Sequence, residues 1–558
     1  MSSDVMDNTN ENLNLNGHDF KSLIHAGLRW LKANQHIVNA LNVFPVPDGD
    51  TGTNMVLTMQ AAYDEIKDEN EGNIGKVAHA VAQGALMGAR GNSGVILSQI
   101  WRGFARALDN LETMDTETLI LGFEEATATA YKGVVRPVEG TILTVTKDIA
   151  IEAKQSLSNE TTIDEIIDIV ISSADKSVEN TPNLLPILKQ AKVVDSGGKG
   201  LFYILEGMSR LIRNEPLDKS EMTTIPIALM DIDQSENIEP GQDYEVVIDF
   251  RPNQYFELQR YYDQLEQIGT SIQVGEGDDI FRMHIHVATE KRYEPIDYTM
   301  NQGTITKVYI ENLLDQMENK PKGNSSSKKG DDIQFNAFEP GSIAVVAASP
   351  GLGISEIFAS LGVTAIVKGG QTMNPSTEEI LSSFKDLPTD KIIILPNNKN
   401  IILAAQAAAS VTDKKVAVIP CKTVPQGINA LLRLMPGMDF DVVVSDMIDA
   451  CDEVETGEVT IATRTVEING VNVSEGQVIA LHNGKLIQSC SSIEEATLSI
   501  LSDSNMNDRE RVTFLYGADI DIQEVSRIAS IVENKYPEHE VEIHYGGQPY
   551  YQFILSIE

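Results

Sequence analysis

The stretch of sequence that decides the first domain is Asn42-Val43-Phe44-Pro45-Val46-Pro47-Asp48-Gly49-Asp50-Thr51-Gly52-Thr53-Asn54-Met55. It places two carboxylates, Asp48 and Asp50, on a turn that leads directly into a helix. Two acids separated by one glycine repel each other unless a cation lies between them. Mg²⁺ prefers a pair of carboxylates together with waters and substrate phosphates. The turn therefore predicts a magnesium and nucleotide site, and a plain N-capping turn is the alternative.

Three further glycine-rich loops lie in the same region, each before a predicted helix. With the first turn counted as the first loop, the second is Gly88-Ala89-Arg90-Gly91-Asn92-Ser93-Gly94-Val95, the third is Asp195-Ser196-Gly197-Gly198-Lys199-Gly200 and the fourth is Arg136-Pro137-Val138-Glu139-Gly140-Thr141. The N–H groups at a helix start favour phosphate oxygens, and glycine lets backbone approach a ligand closely. Each loop alone also fits an ordinary turn or helix packing through glycine. Because a glycine costs about 0.5–1 kcal/mol in a regular element, four such loops together favour a binding function.

Composition excludes several classes of function. The chain has 558 residues and a formal net charge of −39, so it does not suit nucleic-acid phosphates or anionic lipid surfaces. Its three cysteines, Cys421, Cys451 and Cys490, form no C-x-x-C pair, which indicates a reducing compartment. We expect a cytoplasmic protein. We expect no transmembrane segment, because no apolar run reaches the length of about 18 residues that a span requires.

The apolar pattern predicts a multidomain chain. Residues 1–18 read as a disordered tail, and residues 19–213 show the helical spacing of an all-α domain with about eight helices. Residues 222–317 predict a small α+β domain with an antiparallel sheet, in which 304–316 is expected to be a helix. Residues 318–340 read as a flexible linker. Residues 341–558 alternate short β-branched runs, including 391–395 and 442–444, with helical stretches and predict an α/β domain.

Four phrases of the first domain carry a resemblance to a known family: NVFPVPDGDTGTNM, GARGNSGVI, RPVEGTILTV and DSGGKGL. This domain resembles the nucleotide-binding subunit of dihydroxyacetone kinases, a helical barrel with ATP and magnesium on loops at one end. Together with the later domains, the chain resembles the large, ATP-binding subunit of bacterial fatty acid kinase. The resemblance implies that ATP phosphorylates the carboxylate of a fatty acid held by a separate DegV-like carrier. The product would be an acyl phosphate for phospholipid synthesis.

The resemblance also implies roles for individual residues. Asp48 and Asp50 would hold Mg²⁺. The residues that would contact the phosphates or line the nucleotide are Thr51, Thr53, Asn54, Gly91, Asn92, Ser93, Asp195 and Gly197. Dihydroxyacetone kinases have a third metal-binding aspartate just upstream, but residues 41–44 read Leu-Asn-Val-Phe. The number of metal ions is therefore open.

A histidine pair marks the middle domain. His284 and His286 lie two apart on a predicted strand, so both side chains share one face. The resemblance implies a zinc site of one cysteine and two histidines here, but no cysteine occurs between Met1 and Pro420. Val247 occupies the strand where we expect that cysteine, which argues against zinc in the Cys-His-His form. The pair is predicted to act in catalysis or subunit contact, with a structural role as the alternative; by resemblance, the middle domain forms a homodimer.

The last domain resembles the DegV-type fatty-acid-binding fold. Its suggestive loops are 349–353, 369–376 and 395–400, since comparable loops in lipid carriers hold the fatty acid carboxylate. In this chain the domain could bind lipid or dock the carrier. The alternative is that these loops are ordinary strand-to-helix connections with neither function. Two other functions remain open: a kinase for a small polyol or ketone, and a nucleotide- or lipid-sensing regulator without turnover.

Overall fold

The structure is a computed structural model. It describes residues 14–43, 49–134, 136–158, 161–217, 225–226, 243–254, 256–276, 280–312, 341–371, 373–435, 437–462, 466–468, 470–474 and 476–558. The chain divides into two compact units. Residues 1–218 and 333–558 form one, and residues 219–332 form the other. Of the tail predicted at 1–18, residues 1–13 lie outside the described residues. The prediction is wrong for the remainder, since Leu15 forms a β-bridge with Met114 and a helix begins at Gly17. The linker predicted at 318–340 lies outside the described residues.

The first domain is helical. Its helices are α1 Gly17–Ala33, α2 Gln35–Ala40, α3 Thr51–Ile66, α4 Ile74–Met87, α5 Gly91–Ala107, α6 Thr116–Lys132, α7 Ile142–Gln155, α8 Ile163–Leu184, α9 Pro186–Ala191 and α10 Ser196–Ile212. The start of α1 shows why the sequence folds in this way: Asn16 and Asp19 form a reciprocal capping box, which satisfies orphan N–H groups of the first turn. The same helix buries the apolar face that includes Phe20, Ile24 and Leu31.

Eight of these helices form a closed ring. Helix α1 packs on α3, the helices from α3 to α8 each pack on the next, and α10 connects α8 back to α1. The ring encloses an apolar cavity of about 80 Å³ lined by residues that include Phe20, Trp101 and Phe104. Four ring helices begin at the four glycine-rich loops: α3, α5 and α10 begin within their loops, and α7 begins directly after its loop. The ring thereby determines where those loops lie.

The second unit is a small α+β fold. Its elements are β1 Ile225–Pro226, β2 Tyr244–Pro252, α11 Leu258–Ile268, β3 Thr270–Glu276, β4 Phe281–Val287, α12 Glu294–Met300 and β5 Gly303–Asn312. The sheet order is β1-β3-β4-β2-β5, and all neighbours are antiparallel except β1 and β3. The helix predicted over 304–316 is wrong, since Gly303–Asn312 is a strand and the remainder lies outside the described residues. Thr304, Ile305 and Val308 are β-branched, and such residues favour strands.

The last domain contains two main sheets. Its strands are β6 Ala344–Ser349, β7 Ala365–Lys368, β8 Lys391–Leu395, β9 Lys415–Val418, β10 Glu455–Ile461, β11 Val466–Ile468, β12 Val471–Val473, β13 Val478–His482, β14 Lys485–Cys490, β15 Arg511–Tyr516, β16 Glu540–Tyr545 and β17 Tyr551–Ile557. Strands β7-β6-β8-β9 form a fully parallel sheet. Strands β14-β13-β10-β17-β15-β16 form a mixed sheet, and β11 pairs with β12.

Helices connect and cover these strands. They are α13 Leu352–Ser360, α14 Thr377–Ser382, α15 Ile402–Ser410, α16 Val424–Leu431, α17 Phe440–Ala450, α18 Ile493–Asp503 and α19 Ile522–Lys535. The strand predicted at 442–444 is wrong because these residues lie within α17. Asp439 caps the start of α17, and Phe440, Val443 and Met447 are buried along one face at helical spacing. A run of three valines is too short to reveal that period.

The helical domain and the last domain share a core. Ala89 and Val95 of the second glycine-rich loop are buried with Val346, Ile380 and Ala404 of the last domain. Helix α15 packs on α5, and α14 packs on α4. These contacts hold the second glycine-rich loop against the parallel sheet domain. Among the described helices, none combines the length and the apolar character needed to cross a bilayer.

Candidate functional site

The Asp50 turn does not behave as a plain helix cap. Gly49 has a φ of 69°, which favours glycine and turns the chain into α3. Asp50 occupies the N-cap position, yet its side chain makes no capping hydrogen bond to the helix. Its Oδ2 instead accepts a hydrogen bond of 2.5 Å from Nδ2 of Asn374. The carboxylate therefore points away from its own backbone. Asp48 lies outside the described residues.

The two threonines that follow Asp50 have different surroundings. Thr51 is buried, and its Oγ1 lies 3.2 Å from Oγ of Ser196 in the third loop. Thr53 is turned toward α2, where its backbone N–H and Oγ1 bond to Asn39, and Oγ1 also accepts from Gln35. The structure thus places Thr51 beside a neighbouring loop, whereas the Thr53 side chain anchors α3 to α2.

The second loop packs against the start of α3. Gly91 has a φ of 56°, and a Cβ there would lie 2.6 Å from Nδ2 of the buried Asn54. Only a residue without a side chain permits this approach. Asn92 donates a hydrogen bond of 3.2 Å to Oδ1 of Asn400, and Ser93 is half-buried in the first turn of α5.

The third loop contains a genuine helix cap. Asp195 is buried, and its Oδ2 accepts a hydrogen bond of 2.7 Å from the N–H of Gly198. Burial raises the pKa of Asp195 to about 6, and the hydrogen bonds from the backbones of Gly198 and Ile142 oppose that rise. Ile142 begins α7, directly after the fourth loop, and a Cβ on Gly197 would lie 3.3 Å from Ile142 Cβ. Asp195 therefore joins the third loop to the fourth.

These contacts connect all four glycine-rich loops. Thr51 contacts Ser196, Asn54 packs on Gly91, and Asp195 reaches Ile142. The site residues predicted from the helical domain, apart from Asp48 and the Thr53 side chain, thus lie together at the starts of α3, α5 and α10.

Sequence reasoning missed the residues that the last domain adds to this cluster. Arg90 Nη1 donates a hydrogen bond of 2.9 Å to the backbone oxygen of Asn374, and the guanidinium pairs with Glu379 at 3.1 Å. The backbone N–H of Thr377 donates to Ala89 O at 3.2 Å. Asn374 lies in loop 369–376 and Asn400 in loop 395–400. The composition of both loops made them candidates for a site, but nothing in the sequence indicated that they contact the helical domain.

The turn fits a magnesium–triphosphate group by its chemistry. Asp50 supplies a carboxylate, the kind of oxygen ligand that Mg²⁺ prefers. The starts of α3, α5 and α10 carry the N-terminal N–H groups that favour phosphate. Gly91 lets its loop pack closely on Asn54 at the start of α3. The described residues therefore suit both the ion and the nucleotide.

The middle unit holds a second cluster. Glu245 on β2 and His284 and His286 on β4 bring one donor atom each to within 4.8 Å of one another, and all three are buried. In the register of β2 and β4, Glu245 stands opposite His286 and Val247 opposite His284. The sequence reasoning looked to Val247 and overlooked Glu245, two residues earlier on the same face of the strand.

The donor geometry of this cluster suits a divalent cation. Glu245 Oε1 lies 2.7 Å from His284 Nε2, yet within the described part of the chain neither atom has a partner in hydrogen-bond geometry. Burial, reinforced by His284, lowers the pKa of His286 to about 4. A neutral imidazole is the form that binds metal, and two nitrogens with one carboxylate oxygen are an ordinary zinc donor set.

Known relatives match this chain over nearly its whole length, and family models match three parts of it. Residues 45–210 match the DAK2 domain. Residues 239–320 match the middle domain, and residues 344–558 the C-terminal domain, of the FakA-like family of fatty acid kinases. Protein YloV of Bacillus subtilis (strain 168) is 39% identical over 554 residues, covering 98% of this chain and 99% of its own. Uncharacterized protein SAR1202 of Staphylococcus aureus (strain MRSA252) is 37% identical over 552 residues, with coverage of 98% and 99%.

Among solved structures, DegV, a fatty acid binding protein from Bacillus subtilis, aligns with 39% of this chain and 99% of its own. Its identity is 12% and its TM-score 0.30, a likeness too small to support a conclusion. The family matches and the full-length relatives agree with one another. This chain belongs to the FakA-like fatty acid kinase family, with a DAK2 domain at its helical end.

Proposed function

We propose that this protein is the ATP-binding subunit of a two-component kinase whose acceptor is a fatty acid carboxylate. The fatty acid is presented by a separate lipid-binding protein of the DegV type. A carboxylate oxygen forms a bond to the γ-phosphorus, the bond from that phosphorus to the bridging oxygen breaks, and ADP leaves. The product is an acyl phosphate. Membership of the FakA-like fatty acid kinase family supports this assignment.

The observation that carries the proposal is the meeting of the four glycine-rich loops beside Asp50. Phosphoryl transfer depends mostly on positioning and on neutralisation of charge. The helix starts at Thr51, Gly91 and Ser196 orient N–H groups toward phosphate, and Asp50 provides the carboxylate that holds Mg²⁺. When bound, Mg²⁺ supplies the charge that offsets the triphosphate. We assign Thr51, Asn54, Gly91, Asn92 and Ser93 to the nucleotide on the same basis.

The acceptor makes few demands on the protein. A fatty carboxylate is ionised at neutral pH, because carboxyl groups titrate near pH 4, so it needs no general base to attack phosphorus. The buried His284 and His286 are not required for proton removal in this scheme. We propose that they act through the Glu245 cluster as a structural metal centre of the middle unit.

Loops 349–353, 369–376 and 395–400 of the last domain make hydrogen bonds to other parts of the protein. Ser349 Oγ donates to the backbone oxygen of Gly351 at 3.0 Å, and Asn397 Nδ2 donates to Ala348 O at 2.7 Å. Asn374 and Asn400 contact the helical domain. These contacts support a role in assembling the nucleotide site, and they support delivery of the fatty acid by a second protein.

The test uses the full-length protein with Mg²⁺, ATP, oleate and a DegV-type lipid-binding protein. ADP release and acyl phosphate formation are expected to require that lipid-binding protein. Asp50→Ala is expected to lower the rate about a hundredfold or more, because a ligand of the charge-neutralising ion is lost. Asp64→Ala is the matched control, since Asp64 lies on the same helix and pairs with Lys67 at the surface.

The alternatives give different results in this assay. ADP release with dihydroxyacetone in place of oleate and its carrier would identify a polyol or ketone kinase. ATP binding without ADP release under any of these conditions would identify a regulator. Full activity of Asp50→Ala would overturn the assignment of the metal site.

A further inference from the structure

One contact between the helical domain and the last domain joins residues that are far apart in sequence. Asn374, in a loop of the last domain, donates from Nδ2 to Oδ2 of Asp50 at 2.5 Å. The side chain of Asn374 is buried, with 5% exposure. Its other polar atom, Oδ1, has no hydrogen-bond partner among the described residues. A buried amide oxygen without a partner is costly and calls for an explanation.

We propose that Asn374 belongs to the cation site at Asp50, so that the last domain completes the nucleotide site of the helical domain. This inference rests on the proposed binding of Mg²⁺ and ATP at Asp50. An amide can serve both states of such a site. In the structure, Nδ2 donates to the Asp50 carboxylate. With an ion, a half-turn of the amide presents Oδ1, and amide oxygens are ordinary ligands of hard cations.

The surrounding contacts hold Asn374 in place for this role. Arg90, at the start of α5, donates to the Asn374 backbone oxygen at 2.9 Å and pairs with Glu379. Glu379 Oε2 in turn accepts a hydrogen bond of 2.6 Å from the N–H of Ser376. Burial works to raise the pKa of Glu379, but the hydrogen bond from Ser376 and the charge of Arg90 outweigh it and lower the pKa. Glu379 is thus ionised at neutral pH, as an ion pair requires.

Gly91 of the second glycine-rich loop also lies close to Asn374. A Cβ on Gly91 would lie 3.5 Å from Nδ2 of Asn374 as well as 2.6 Å from Nδ2 of Asn54. Gly91 therefore lies beside the contact between Asp50 and Asn374. If the ion binds there, its binding and the docking of the last domain strengthen each other by the same factor.

The test uses full-length protein and four variants: Asn374→Asp, Asn374→Ala, Asn398→Asp and the Asp50→Ala variant described above. Asn374→Asp brings a second carboxylate against Asp50. Without Mg²⁺ it is expected to lower the Tm by at least about 4 °C, and Mg²⁺ is expected to restore it. Calorimetry with Mg²⁺ alone is expected to show affinity at least about tenfold higher than in the wild type, because each added carboxylate strengthens a hard-cation site.

Two other variants complete the experiment. Asn374→Ala is expected to weaken binding of Mg²⁺ with the non-hydrolysable ATP analogue AMP-PNP by about tenfold. Asn398→Asp is the matched control because Asn398 is similarly buried but donates to Gln371. Its effect on Tm is expected to be the same with and without Mg²⁺.

Two outcomes would overturn the inference. One is unchanged Mg²⁺ affinity in both Asn374 variants while Asp50→Ala loses it, which would leave the proposed function intact. The other is a Tm loss in Asn374→Asp that Mg²⁺ does not reverse. If Asp50→Ala also binds Mg²⁺ and AMP-PNP like the wild type, the proposed nucleotide site itself is wrong, and the role of Asn374 fails with it.

Discussion

Replacing Asp195 with asparagine is expected to stabilise the helical domain at neutral pH. Asp195 is 5% exposed, and burial raises its pKa to about 6 against the opposing backbone hydrogen bonds. An aspartate in an unfolded chain has a pKa of about 3.9. The difference of about two units, at about 1.4 kcal/mol each, means that the ionised carboxylate costs the folded state about 3 kcal/mol at pH 7.

Asparagine removes this charge with little change of shape. It keeps one oxygen to accept from the N–H of Gly198 but gives up the second acceptor, which costs about 1 kcal/mol. The net gain is therefore about 2 kcal/mol at pH 7. For a domain of this size, that gain corresponds to a rise in Tm of about 4–8 °C.

The stability difference between the wild type and Asp195→Asn depends on pH. Because the folded pKa of Asp195 is raised, the folded state binds more protons than the unfolded state between about pH 4 and pH 6. Stability of the wild type from this group is highest below the unfolded pKa and falls as pH rises to about 6. The advantage of Asp195→Asn is therefore full at pH 7 and lost by about pH 4, where the missing acceptor leaves the variant slightly less stable.

The assay can follow this domain within the full chain. The chain has two tryptophans, Trp30 on α1 and Trp101 on α5, so tryptophan fluorescence reports unfolding of the helical domain. Asp115→Asn is the matched control, because Asp115 caps α6 and its hydrogen bonds from Thr118 lower its pKa. No stabilisation at pH 7 is expected there. Parallel stability curves for wild type and Asp195→Asn from pH 4 to pH 8 would refute the reasoning.

Three further predictions test other parts of the structure. Gly91→Ala is expected to lower the Tm of the helical domain and weaken AMP-PNP binding, because the left-handed conformation costs about 1–2 kcal/mol before the contact with Asn54; unchanged values of both would contradict it. A chain ending at Asp332 is expected to unfold at lower temperature by tryptophan fluorescence, since Ala89 and Val95 lose their cover. Metal analysis of purified protein is expected to find zinc, absent in Glu245→Ala and retained in Glu245→Cys, whose thiolate is also a zinc ligand.

Local patterns in the sequence were enough to predict the main features of the fold. Helical spacing and glycine-rich loops gave the helical domain, and the strand predicted over Lys391–Leu395 has the same bounds in the structure. Errors arose where two patterns compete over a short run. Val442 to Val444 favours a strand by composition, but the spacing of Phe440, Val443 and Met447 makes it a helix. The strand Gly303–Asn312 was missed for the opposite reason, since its apolar residues also fit a helical period.

Glu245 shows that the composition of a strand does not determine which residues stand opposite it in the sheet. The positions of His284 and His286 on one face follow from the two-residue period of a strand. Which residue of β2 stands beside them depends on register, and a shift of register changes every pairing. The structure pairs Glu245 with His286, a fact that no local pattern in either strand contains.

The position of Asn374 has a topological cause. Loops 349–353, 369–376 and 395–400 follow β6, β7 and β8, which are adjacent and parallel. Their carboxyl ends therefore meet at one edge, the place where open α/β sheets commonly hold ligands. Here that edge contacts Asp50 and Asn92 of the helical domain. The edge that would serve a free α/β domain as its own ligand site thus adjoins the glycine-rich loops of the helical domain, and a residue such as Asn374 meets Asp50 because of the strand order and not because of any local pattern in its loop.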